Sequence, residues 1–250
     1  VSGGIGIGRR VWSAGLLALA ASCAGPVPGR AAEPEEDRPS PSRLLFGSLD
    51  AGPAKLLVSQ GGKLVLGAGS LSTSGFRLLV ATAQSTERPR LAPAGNQLQK
   101  LETQLLIGFE WRLRGGSFAI YAGPELQAER WTQETLPRHR IGQRLHLDLW
   151  HGLGRGWTLQ AGAYAAALDR RLWLRLAPGW ALPWHGRFGR PMLGPELELY
   201  RQEAYSKLRF GLHLGGLRLF KLNWRVSAGW ERASRERSHL YATLGFHAPR

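Results

Sequence analysis

The chain has 250 residues, carries 33 Lys and Arg against 18 Asp and Glu, and has a formal net charge of +15. After the first 32 residues no window approaches the roughly 18 uninterrupted apolar residues of a membrane-crossing helix, which excludes a helical membrane protein. The cations stand singly along the chain rather than clustered on one face, which argues against nucleic acid as a partner, and the single cysteine, Cys23, excludes a disulfide framework.

Arg9 and Arg10, an apolar run from Val11 to Ala24, and then small residues have the order of a bacterial signal peptide. The run is shorter than the roughly 20 residues of a spanning helix, so a permanent anchor is not expected. Gly29-Arg30-Ala31 offers a small-x-small cleavage site, with Ser22-Cys23-Ala24 as the alternative, and residues 1–32 are taken as the leader. A lipidated Cys23 is a weaker reading, because Leu19 stands one place too far from it. A twin-arginine signal at Arg9-Arg10-Val11-Trp12 is discounted, because that route exports folded proteins and a barrel must cross unfolded. Loss of Arg9, Arg10 and Arg30 with the leader lowers the charge from +15 to +12. Residues 33–42, opening Glu33-Pro34-Glu35-Glu36-Asp37, are expected to be a flexible periplasmic lead-in.

From residue 43 to 250 the dominant signal is a hydrophobic period of two, as in Leu208-Arg209-Phe210-Gly211-Leu212-His213-Leu214. Successive side chains of an extended chain point to opposite faces, so such blocks make strands with one apolar and one polar or glycine face. Twelve segments are predicted: Arg43–Ala51, Lys55–Leu66, Phe76–Gln84, Leu101–Arg114, Phe118–Arg130, Ile141–Trp150, Trp157–Leu168, Leu172–Trp180, Arg190–Arg201, Tyr205–Leu217, Lys221–Arg232 and His239–His247. The expected fold is all-β, a transmembrane antiparallel up-and-down β-barrel of about 12 strands in the bacterial outer membrane, with the apolar face on lipid.

Several segments fix their faces. Phe118, Ile120, Ala122, Pro124 and Leu126 oppose Tyr121, Gly123, Glu125 and Gln127; Leu145, Leu147 and Leu149 oppose Arg144, His146, Asp148 and Trp150. Leu193, Pro195, Leu197 and Leu199 oppose Gly194, Glu196, Glu198 and Tyr200, and turning those acids to lipid would cost a few kcal/mol each. Glycine turns are expected at Arg114–Ser117 and Gly152–Gly156, with longer outer loops at Ser85–Lys100 and Ala233–Ser238. Trp111, Trp131, Trp157, Trp180, Trp184, Trp224 and Trp230 fall near strand ends, where an aromatic girdle would stand. Gly123-Pro124-Glu125-Leu126 recurs as Gly194-Pro195-Glu196-Leu197, and each proline invites a bulge. The competing fold is a soluble β-sandwich or barrel with tryptophan-rich packing, which would need a second sheet to cover every leucine-rich face.

Leu45-Phe46-Gly47-Ser48-Leu49-Asp50-Ala51-Gly52, Ser74-Gly75-Phe76-Arg77-Leu78, Leu193-Gly194-Pro195-Glu196-Leu197, Gly211-Leu212-His213-Leu214-Gly215-Gly216-Leu217-Arg218 and Ser227-Ala228-Gly229-Trp230 resemble the alphaproteobacterial outer-membrane cellulose biosynthesis protein BcsS family. The Tyr205 to Leu208 strand start adds to this, and the similarity runs from Arg43 to Phe246. The resemblance implies a role in making or exporting cellulose and supplies no catalytic residue. The chain departs from the family in being richer in Arg and Leu, poorer in Tyr, and in following Phe246 with His247-Ala248-Pro249-Arg250 where a terminal aromatic is usual.

For a neutral glucan, a lumen needs aromatic rings to stack on pyranose faces and polar groups to bond hydroxyls. The candidate binding residues are Tyr121, Glu125, Trp150, Trp173, Glu196, Glu198 and Tyr200. The opposing account makes the same acids part of a salt-bridged wall that fills the barrel. Expected partners are outer-membrane lipid, cellulose or another β-glucan, and cellulose synthase components. The other function considered is a general anion-leaning porin or a structural barrel. An outer-membrane lipid hydrolase would need a pair such as His213 and Ser227, with Asp148 a distant third, and no oxyanion hole is marked. Glu196 and Glu198 share a face at about 7 Å, a spacing compatible with glycoside chemistry but more usual in a lumen wall. No metal-ligand spacing, cofactor motif or catalytic residue is assigned, so an accessory conduit or scaffold is expected rather than an enzyme.

Overall fold

The computed structural model describes residues 41–53, 55–88, 96–183, 189–203, 205–234 and 237–249. The expected signal peptide, the expected lead-in up to residue 40 and Trp184 lie outside the described residues. The strands, in chain order, are β1 (Arg43–Ala51), β2 (Lys55–Val65), β3 (Gly75–Glu87), β4 (Leu98–Leu113), β5 (Gly116–Trp131), β6 (Arg138–Gly154), β7 (Trp157–Ala166), β8 (Arg171–Ala181), β9 (Gly189–Gln202), β10 (Tyr205–Leu219), β11 (Leu222–Ala233) and β12 (His239–Pro249). A 3-10 turn, Leu168–Arg170, joins β7 to β8. Every strand pairs antiparallel with its sequence neighbours, and β12 closes on β1 with Leu44 opposite Pro249 and Ala51 opposite Ala242. Closure leaves no bare sheet edge.

An even strand number brings both chain ends to one rim, here the terminal rim, which also carries the tight turns at 114–115, 155–156 and 220–221. The opposite, distal rim carries the connections 88–97, 132–137 and 234–238. Glycine enables close strand approach at two places that matter. A Cβ on Gly123 would lie 2.2 Å from the Leu105 carbonyl oxygen, and one on Gly194 would lie 1.9 Å from that of Pro178.

The barrel reverses the usual burial rule. Ile107, Leu126, Ile141, Phe210 and Leu212 are exposed on its outer face, while Arg77, Glu110, Glu125, His213 and Tyr121 are buried inside. One small apolar cluster, Phe46, Leu79, Ala81, Leu106, Ala119 and Tyr121, packs on the inner wall of β1 and β3–β5. The outer aromatics gather at the terminal rim. Phe76, Phe109, Trp111 and Phe118 form a continuous row, Trp157 stacks on Trp180, and Trp224 meets Phe246. Trp230 stands exposed on the outer face toward the distal rim.

All twelve predicted segments correspond to strands, with shifted ends. β6 runs from Arg138 to Gly154, well beyond the expected Ile141–Trp150. The expected loop Ser85–Lys100 shrinks to 88–97, because Lys55 bonds Glu87 and Lys100 pairs with Glu129, carrying β3 and β4 past the apolar stretch. Leu168 belongs to the 3-10 turn and Lys221 to the β10–β11 turn. The two prolines make no bulge. Between β4 and β5 the pairing skips Gly123 and Pro124 but resumes in the same register, and between β8 and β9 it skips residues 194–196 likewise. Bulges fall instead at Gly152/Gly154 and Leu214/Leu217, the second around Gly216 with φ of 71°.

Candidate functional site

Inward side chains that alternate with apolar outer ones give the lumen a wall of charges, and buried charges persist only when paired. At the terminal mouth Glu110 accepts from Lys63 at 2.9 Å and pairs with Arg112 at 2.8 Å, while the Tyr121 hydroxyl donates to it at 3.4 Å. Arg77 lies 3.8 Å from the same carboxylate and donates to the carbonyls of Ser70, at 3.1 Å, and Thr73. The β2–β3 connection is thereby pinned by a lumenal guanidinium, with Leu71 buried and its N–H bonded to the Pro41 carbonyl at 2.8 Å.

Deeper in, the repeated Gly-Pro-Glu segments place two carboxylates in matching roles. Glu125 is held between Arg144 and Arg171, each at 2.7 Å. Glu196 is held between Arg175, at 3.2 Å, and Arg225. A further guanidinium, Arg209, lies between Asp50 and Glu231 and covers the Tyr241 ring at 4.5 Å. Several of these contacts join strands that are not neighbours: Arg171 of β8 reaches Glu102 of β4, Arg225 of β11 reaches Gln160 of β7, and Arg209 of β10 reaches Asp50 of β1. The lumen is therefore strapped from within.

Between these straps lies a cavity partly open to solvent, bounded by Phe46 and Leu79 on one side and Trp173 on the other. The Trp173 indole stacks on Tyr164 with centroids 5.5 Å apart, and Gly162 leaves room for it, since a Cβ there would lie 3.1 Å from the indole. Six polar side chains share the wall: Gln104, His146, Asp148 and Gln160, with the cations Lys63 and Arg175, which pair with Glu110 and Glu196. Arg144 donates to the Gln104 carbonyl oxygen at 2.9 Å and Arg225 donates to that of Gln160, which leaves each amide NH2 as a donor for a ligand. His146 Nε2 lies 2.9 Å from Asp148, and its Nδ1 is buried with no hydrogen-bond partner among the described residues. An aromatic face beside oriented amides and an orphan ring nitrogen suits a polyhydroxylated ligand.

Of the seven residues chosen from sequence, all inward-facing, only Trp173 lines this cavity. Tyr121 is wholly buried against Glu110, Glu125 and Glu196 are clamped, and Glu198 sits 3.6 Å from Lys207 and 3.7 Å from Arg209. The Tyr200 hydroxyl donates to Gln202 at 2.6 Å, and Trp150 is buried with its Nε1 unpartnered among the described residues. Gln104, His146, Asp148 and Gln160 were missed. His146 and Asp148 had been placed on the inner face of β6, and only their position opposite Trp173 lay beyond sequence reasoning. His213 stands directly opposite Ser227, yet its Nδ1 meets the Pro195 carbonyl at 3.2 Å and Ser227 bonds to Glu196. That arrangement does not assemble a nucleophile and base.

The family model for cellulose biosynthesis protein BcsS matches residues 44–250. The chain belongs to that family. The BcsS match starts inside β1 and runs through β12, so it covers the barrel and its strapped lumen together. No curated protein matches the chain. Solved structures similar to the BcsS barrel include the following three. A KdgM porin has 8% identity and a TM-score of 0.43 over 83% of this chain and 99% of its own. A KdgM porin in complex with disordered oligogalacturonate has 11% and 0.40 over 81% and 99%. An outer membrane channel from Pseudomonas putida F1 has 11% and 0.49 over 87% and 99%.

Proposed function

We propose that this BcsS barrel sits in the outer membrane and serves cellulose biosynthesis by holding a segment of the glucan chain in its lumen. Membership of the family supports the process, and the exposed leucine and aromatic outer face supports the membrane location. The terminal rim then faces the periplasm, since a barrel that inserts from that side need only push its hairpin loops across. The observation that carries the glucan reading is the Trp173 indole beside Gln104, Gln160 and the unpartnered Nδ1 of His146.

The role is binding and guidance, without bond making or breaking. An anion-leaning pore is less well supported, because the guanidiniums that strap the lumen are matched by Glu102, Glu125, Glu196, Asp50 and Glu231. Titration calorimetry of the refolded barrel with cellohexaose and with an anionic oligogalacturonate tests the proposal. Cellohexaose is expected to bind better, and Trp173→Ala to weaken it about tenfold through loss of the stacking face. Absence of cellohexaose binding, or an unaffected variant, would overturn the reading.

A further inference from the structure

The outer faces of neighbouring strands end differently at the two rims. Aromatics close the apolar belt at the terminal rim, whereas on β9 and β11 exposed arginines close it at the distal rim. On β9 the outward series Leu193, Pro195, Leu197 and Leu199 terminates in Arg201; on β11 the series Val226, Ala228 and Trp230 terminates in Arg232. Leu172 of β8 lies opposite Arg201, and the exposed Arg170 stands two residues before it in the 3-10 turn that joins β7 to β8. Ser206 of β10 lies opposite Arg201, and Leu208 lies opposite Arg232. The three residues thus stand along the distal rim, Arg170 in the β7–β8 turn, Arg201 on β9 and Arg232 on β11. No ion pair joins Arg170, Arg201 or Arg232 to another described residue, unlike the paired guanidiniums that strap the lumen.

Directly below the three residues the wall is apolar and exposed: Leu172, Leu199, Leu208, Phe210 and Trp230. A cationic cap stacked on an apolar wall has the two-part chemistry of a lipid with anionic head group and acyl chains. Guanidinium favours phosphate because its planar fork gives two parallel N–H···O bonds. The geometry points to a binding site for a phosphorylated, multiply acylated lipid of the outward leaflet, held by Arg170, Arg201 and Arg232 with its chains on the β8–β11 wall. The inference rests on the membrane placement proposed above and is independent of what occupies the lumen.

The test uses the barrel in neutral detergent micelles, with diphosphorylated lipid A and the same lipid after phosphatase treatment as probes. The phosphorylated form is expected to bind at least tenfold tighter, and inorganic phosphate to compete only in the millimolar range. Each arginine is expected to contribute about fivefold, so Arg170→Gln/Arg201→Gln/Arg232→Gln loses on the order of a hundredfold. Arg114→Gln/Arg155→Gln, at the opposite rim, should bind as the parent does. Heat-modifiable gel mobility verifies that each variant is folded; should the triple variant fail, Arg201→Gln alone carries the test at about fivefold. Equal binding of the two lipids, or undiminished binding by the arginine variants, would overturn the site. A barrel that binds the phosphorylated lipid in micelles but stays out of vesicles would instead overturn the membrane placement.

Discussion

Glu125 shows what a single inward carboxylate does in this barrel. It is buried, and Arg144 and Arg171 both close on it at 2.7 Å. Removing it leaves Arg144 and Arg171 with only Glu102 to share in a low-dielectric wall, and breaking such a buried pair costs about 3–5 kcal/mol. Glu125→Ala is therefore expected to lower the urea midpoint of the folded barrel sharply. Arg144→Met in the same background should restore part of the loss, and a fully additive double variant would contradict the coupling. Gly194→Ala is a second residue-level test, because its Cβ would lie 1.9 Å from the Pro178 carbonyl oxygen. Overpacking of this kind costs about 1–3 kcal/mol, read from the same urea transition. The inward direction of Glu125 and Glu196 was legible from alternation with Leu126 and Leu197. Their partners were not, since Arg171 and Arg225 come from distant strands and sequence gives no register across a lumen.

At the scale of elements, the β2–β3 connection behaves as a cover for the terminal mouth, fastened by Arg77 to Ser70 and Thr73. Arg77→Ala should free it, raising single-channel conductance in planar bilayers and exposing residues 66–74 to protease. Unchanged conductance and cleavage would show that the fastening does not restrict the mouth. The strand centres were legible and the ends were not, for a physical reason. Beyond the apolar belt both faces of β6 turn polar, as in Arg138-His139-Arg140, so no alternation marks the continuing strand. Hydrogen bonds between neighbours carry it on regardless. The prolines misled in the other direction. Pro124 and Pro195 remove an N–H but face a neighbour that tolerates the gap, so the register holds without a bulge.

For the whole molecule, period-two patterning in twelve blocks was enough to specify a closed barrel, because each block has one apolar face and closure leaves no edge to protect. Tryptophan positions near strand ends suggested girdles, but their concentration at the terminal rim became visible only with strand direction assigned. The cavity was less legible still. Trp173 was identified, while Gln104 and Gln160 earn significance only from the arginines that orient them. The central claim is that the leucine-bearing face contacts acyl chains while the charged face encloses the interior. Residues 43–250 contain no cysteine, so single cysteines can be placed at Leu126, Leu197 and Leu212, and at the lumenal Gln160 and Gln104 for comparison. Each is labelled with an environment-sensitive fluorophore in vesicles containing lipids brominated deep in the chain. The account expects strong quenching at the three leucine sites and little at the two glutamine sites; equal quenching at both sets, or none at the leucines, would contradict it.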